Sequence, residues 1–173
     1  MKEFYLKQKA LSRRHRYKVF DSEDNQLYHS KARFFSPSRK FDLYDSLTDE
    51  HLYQIKRKRF SFRPTYILYN TNGDAVAKAK RKRSFFKKLV TIESDFGDFL
   101  IEGNFWAHDF QILRDDQEVA SIRKKRISFG DSYTISITDE ENTNFFLALM
   151  IMIDSKFHQK KRKSGNPGGG INK

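Results

Sequence analysis

Three strings of consecutive cations carry the chemistry open to this sequence: Lys56-Arg57-Lys58-Arg59, Lys80-Arg81-Lys82-Arg83 and Arg123-Lys124-Lys125-Arg126. Guanidinium and ammonium groups at that density recognise phosphate and other polyanions through charge-assisted hydrogen bonds, so the chemistry is binding rather than bond making. The strings occupy equivalent places in three copies of a repeated unit, and neighbouring copies would let them converge on one band of surface. Successive strand residues face opposite ways, so about half of each string can share the outer face. Lys80 and Lys82 then point together, away from Arg81 and Arg83. The competing explanation is a solvated strand face whose like charges discourage edge pairing.

Other chemistries find little support. There is no cysteine, which removes disulfides, thiolate metal sites and cysteine nucleophiles together. The five histidines (His15, His29, His51, His108, His158) are scattered, with no i, i+4 pair of the kind that holds a metal. His108 and Asp109 are adjacent, and on a strand adjacent side chains diverge, so they make a poor acid–base pair. No Walker-type loop, GxSxG elbow or dinucleotide-binding GxGxxG occurs. Asp139, Glu140 and Glu141 are read as helix N-terminal acids. Neither a metal, a cofactor nor catalysis is expected.

The net charge of +12 comes from 34 Lys and Arg against 22 Asp and Glu, and it is segregated. From Lys78 to Lys88 there are seven bases and no acid. From Leu89 to Ile122 there are eight acids against Arg114 alone. Such segregation favours phospholipid head groups, nucleic acid or acidic proteins as partners. Phe60, Phe62, Phe85 and Phe86 lie among the cations and could stack on bases. Their alternation and clustering is that of core strand residues, and no recognition helix or RNA-binding signature accompanies them.

The strings are positioned by a unit that appears five times, starting at Leu27, Leu52, Val76, Leu100 and Val119, at spacings of 25, 24, 24 and 19 residues. Each copy is followed by a second extended run closing on an acidic or amide turn, such as TYILYN (Thr65 to Asn70) or YTISITDE (Tyr133 to Glu140). With Glu3 to Gln8 and Arg16 to Asp21 the count is twelve strands. Asn72-Gly73 fits a tight turn requiring positive φ, and Pro37 and Pro64 fall at strand edges. Gly103 suggests a bulge or a close approach by a buried helix, and Trp106 a core position.

Phe145 to Ile153 is nine apolar residues in a row, preceded by Thr138 to Glu141 as a capping box and followed by Lys156 and Lys160 to Lys163. A helix apolar on every side must be buried. At 1.5 Å per residue nine residues reach about 13 Å, too short for a bilayer of about 30 Å. The expected architecture is mainly β: a twelve-stranded closed barrel of antiparallel hairpins around a buried C-terminal α-helix at about 139–157. This barrel should fill residues 1–157 as a single domain, with 158–173 a basic, Gly-rich and disordered tail.

The segments KRFSFRPTY (Lys58 to Tyr66), DAVAKAKRK (Asp74 to Lys82), IEGNFWAHDFQI (Ile101 to Ile112), IRKKRISFGDSYTISI (Ile122 to Ile137) and LALMIMID (Leu147 to Asp154) together resemble the LURP-one-related family. Its fold is shared with the C-terminal domain of tubby proteins and resembles that proposed for phospholipid scramblases. The resemblance spans roughly Arg16 to Phe157 and implies the same twelve-stranded barrel around a C-terminal helix. It brings no catalytic set. It implies anionic lipid as ligand, since tubby-like domains bind phosphoinositide head groups. The scramblase likeness implies a calcium-binding acidic segment near the final helix, where only Asp139, Glu140 and Glu141 stand, so calcium is not expected. The reading is a non-catalytic, cytoplasmic scaffold, peripheral at the membrane and binding anionic phospholipid or phosphoinositide-like head groups through basic strand surfaces. The alternative is a nucleic-acid or acidic-protein binder using the same surface and the tail.

Overall fold

Alternating apolar and polar residues between acidic turns form strands, and the chain builds twelve: β1 (Lys2–Gln8), β2 (Tyr17–Phe20), β3 (Gln26–Arg33), β4 (Lys40–Asp45), β5 (His51–Arg57), β6 (Thr65–Tyr69), β7 (Ala75–Lys82), β8 (Leu89–Ser94), β9 (Phe99–Asn104), β10 (Asp109–Arg114), β11 (Gln117–Lys125) and β12 (Ser132–Ile137). A single helix, α1 (Thr143–Phe157), follows them. The computed structural model describes residues 1–8, 17–33, 40–58, 60–82, 89–104, 109–125 and 132–157. The expected tail, 158–173, lies outside the described residues, as do Trp106, His108, Pro37, Phe85 and Phe86.

Each strand pairs antiparallel with the next, and β1 pairs with β12, so the meander closes into a barrel without a free edge. Eight strands enclose space for side chains alone, and twelve leave room for one helix of about 10 Å diameter. That space is filled by α1. From Phe145 to Ile153 every residue is buried, and they pack on inward residues of the wall such as Leu6, Ile55, Leu68, Ile101 and Ile122. Fifteen residues at 1.5 Å span about 22 Å, close to a strand of seven at 3.3 Å, so the helix runs the height of the barrel.

The helix starts later than expected from its sequence. Asn142 accepts the first helical bond, from the Phe146 N–H, and no acid lies in the first turn. Thr138, expected to cap the helix, instead donates its hydroxyl to the Val119 carbonyl, which holds the end of β12 on β11. Asp139 is held by Arg114 at 3.1 Å and Glu140 by the Met1 amino group at 2.6 Å. Those bonds keep the acids in the connection rather than in the helix. Gly103 marks a close approach, as expected, but by a neighbouring strand rather than the helix: a Cβ there would lie 2.4 Å from the Asp109 carbonyl oxygen. At the Asn72-Gly73 turn, Gly73 takes the positive φ of +88° and Asn70 closes the loop by accepting from the Asp74 N–H.

Candidate polyanion-binding end

In a closed antiparallel meander every odd strand ends at the same mouth of the barrel, and every even strand at the other. Parity therefore sorts the connections between strands into two sets. The six segments that join odd strands to even ones, 9–16, 34–39, 58–64, 83–88, 105–108 and 126–131, hold twelve Lys and Arg against one acid, Asp131. The six that follow even strands, 21–25, 46–50, 70–74, 95–98, 115–116 and 138–142, hold thirteen acids and no Lys or Arg. Among the described residues, the first mouth is basic, with Arg57, Lys58, Arg63, Arg81 and Lys124 exposed there, and the second is acidic. The central helix has the matching sense, with its positive N-terminus at the acidic mouth and its negative C-terminus at the basic one.

The three strings fit this frame differently from a band on the wall. In the ring order β5 and β11 stand six strands apart in a barrel of twelve, so their outer faces look in opposite directions. β5 and β7 flank β6, about 10 Å apart. What the three strands share is a mouth: β5, β7 and β11 are all odd, so each ends at the same rim.

Along each strand the phase separates wall from rim. Arg57 follows Ile55, Arg81 follows Ala79 and Lys124 follows Ile122, each two residues beyond a fully buried position on the inward row. Their cross-strand partners, Tyr66, Val90 and Tyr133, are the last buried residues of the inward row among those described. Arg57, Arg81 and Lys124 are themselves exposed, so the inward row emerges at the basic mouth as three cations.

The intervening residues face outward and are partly committed. Lys80 Nζ lies 2.9 Å from one Glu93 oxygen and Lys78 Nζ 3.2 Å from the other. This holds the Glu93 carboxyl below its usual range and the Lys80 ammonium above its own, by hydrogen bonding first and charge second. Lys56 Nζ sits 4.2 Å over the Tyr69 ring, and Arg123 reaches Glu118 at 3.6 Å. Lys58 is exposed just past β5. Lys82 and Lys125 close β7 and β11. Arg59, Arg83 and Arg126 lie outside the described residues.

Phe60 and Phe62, expected in the core, are fully exposed, at 102% and 110% of the reference area. They stand on the 58–64 connection at the basic end, whose base is fixed: the Lys58 N–H donates to the Thr65 carbonyl at 2.9 Å and the Ser61 hydroxyl to the Arg63 carbonyl at 2.6 Å. Thr65 is buried beneath them. The chain leaves the sheet at Lys58, and the alternation that reads as a strand continues through a loop where it has no core to face. Phe60 also takes φ +56°, an unfavourable backbone for a bulky residue. Phe60→Asn, which suits that conformation, is expected to raise stability by about 1 kcal/mol, or about 3 °C in Tm. Thermal unfolding followed by circular dichroism checks this, and a fall would mean that the ring supports the fold.

At the acidic mouth a cleft of about 530 Å³ is walled by Phe4, Tyr28, Tyr53, Phe96 and Phe145 and rimmed by Glu140 and Glu141. Burial raises the tyrosine hydroxyls of Tyr28 and Tyr53, with the Asp45 charge adding to the first. Two histidines that look scattered in sequence meet on the outer wall. His29 stacks on Tyr44 at 5.4 Å, and His51 meets the same ring edge-on. Among the described residues no group of three metal-type ligands forms. The register His29–Tyr44–His51 across β3, β4 and β5 creates this cluster, and sequence spacing does not reveal it.

A closed twelve-stranded antiparallel barrel followed by a single C-terminal helix buried in its core is the tubby-like fold. The chain belongs to the LURP-one-related family, whose sequence profile matches residues 2–154. It is similar to the uncharacterised protein YxjI of Bacillus subtilis (strain 168), with 27% identity over 164 residues, covering 95% of this chain and 99% of that one. An X-ray structure of an Arabidopsis thaliana protein shares the fold at a TM-score of 0.62 and 12% identity, over 89% of this chain and 91% of its own. Among the described residues no helix is long and apolar enough to cross a membrane.

Proposed function

We propose that this protein is a non-catalytic peripheral module that docks its basic end on anionic phospholipid head groups. The observation that carries the reading is the sorting of charge by strand parity, which places Arg57, Lys58, Arg63, Arg81 and Lys124 at one mouth and the acidic connections at the other. A flat negative surface attracts the first end and repels the second, so the barrel binds end-on with its axis near the surface normal. The site differs from a basic band on the wall, because the outward Lys78 and Lys80 are paired with Glu93.

The test compares two variants of equal charge change on vesicles with graded anionic lipid. At about 1 kcal/mol per cation near the surface, Arg57→Glu with Arg81→Glu should weaken binding about a hundredfold or more. Lys78→Glu with Lys80→Glu, on the wall, should cost about fivefold or less, since those charges lie along the barrel side and are already paired. Binding should need anionic lipid and fall with salt. Equal losses in the two variants, or binding indifferent to lipid charge, would refute end-on docking.

A second reading, single-stranded nucleic acid, is favoured by one observation: Phe60 and Phe62 stand exposed between Lys58 and Arg63, where bases could stack. Binding of oligonucleotides with a steep salt dependence, weakened by deleting residues 160–173, would favour it over lipid.

A further inference from the structure

We infer that residues 60–64 of the β5–β6 connection form a membrane-insertion element whose Phe60 and Phe62 rings enter the head-group and acyl boundary of an anionic bilayer. The inference rests on the docking proposed above and adds an apolar step to it. Two unfavourable features coincide on this loop. Both rings are completely exposed, and Phe60 is held in a left-handed backbone that disfavours its side chain. Strain and exposure that do nothing for the fold point to a use outside it.

The geometry suits a bilayer. Phe60 and Phe62 flank Ser61, which bonds the Arg63 carbonyl and meets the Thr65 hydroxyl at 3.0 Å, while both rings stay in solvent. Pro64 limits the return path and Thr65 anchors it, which leaves the rings preorganised before contact. Lys58 and Arg63, both exposed, flank the two rings along the chain, so inserted rings would bring these cations to the lipid phosphates. Among the described residues neither forms an ion pair with a carboxylate. Charge brings the basic end to the surface, and the apolar rings hold it there when salt screens the charge.

The experiment uses the full chain with large vesicles of phosphatidylcholine containing phosphatidylserine, at low and high salt. Phe60→Ser with Phe62→Ser should reduce binding about tenfold and abolish the fraction that persists at high salt. In a separate variant, Phe62→Trp, the emission in excess of that from the native tryptophan should shift to the blue on vesicle binding and be quenched by brominated acyl chains. If wild type binds and the double-serine variant binds with the same salt dependence, insertion is wrong and docking stands on charge alone. If wild type fails to bind anionic vesicles at low salt, both readings fall. If the serine variant instead loses affinity for a single-stranded oligonucleotide while vesicle binding is unchanged, the rings stack on bases and the insertion proposal is overturned. Because both rings are exposed, circular dichroism should show the variants folded.

Discussion

Gly103→Ala is expected to destabilise the protein by about 4 kcal/mol, lowering Tm by about 10 °C. Two costs add. The φ of +140° is one that a side chain strains to adopt, and the added Cβ would stand 2.4 Å from the Asp109 carbonyl oxygen and 2.5 Å from the Phe110 Cα. Both obstacles are backbone of β10, the strand paired with β9 at Gly103 and Phe110, so neither can rotate aside. The wall must open, and it opens next to Phe110, which packs in the core. Gly73→Ala separates the two costs. Its φ is +88°, yet nothing lies within 4 Å of the new atom, so it should lose only about 1 kcal/mol. Thermal and denaturant unfolding of both variants checks the contrast. Similar losses would mean that backbone conformation, not the approach of β10, sets the cost at Gly103.

The strand count, the closure and the buried helix are legible in the sequence because burial is written in local patterns. Alternation gives the wall, and nine apolar residues from Phe145 to Ile153 give a helix that only an enclosed space can hold. The end-to-end charge axis is written there too, but in a form that needs topology to decode. Basic and acidic connections alternate along the chain, and only pairing all neighbours into a ring sends the two sets to opposite mouths. Looking for strand faces instead directs attention to Lys80, which the structure pairs with Glu93 across β7 and β8. Phe60 and Phe62 mislead for a related reason. Their alternation is that of a strand, while Pro64 and the positive φ at Phe60 belong to a loop that has already left the sheet. Helix capping fails at Thr138 because a tertiary bond to the Val119 carbonyl competes for the hydroxyl.

Tyr17→Phe is expected to lower stability near neutral pH by about 3 kcal/mol and to flatten the alkaline limb of the stability curve. Tyr17 opens β2 at the basic end and points into the barrel, where its hydroxyl donates to Asp154 Oδ2 at 2.7 Å. That bond ties the last buried turn of the helix to the wall. Both groups are almost fully buried, so deleting the donor removes a strong hydrogen bond from a dry site. Burial first, and the Asp154 charge second, hold the Tyr17 hydroxyl well above its ordinary value near 10. Below that value Tyr17 is protonated in both folded and unfolded chains, and its contribution is fully present. As pH rises past about 10 the unfolded chain releases the proton while the folded one keeps it, so stability falls by about 1.4 kcal/mol per pH unit. Tyr28 and Tyr53, also raised by burial, act in the same sense, so the variant keeps a residual slope. Denaturant unfolding from pH 8 to 11 measures both effects. A variant with the wild-type slope would show that the Tyr17 hydroxyl does not keep its proton in the folded barrel, and that packing alone holds the C-terminal half of the helix.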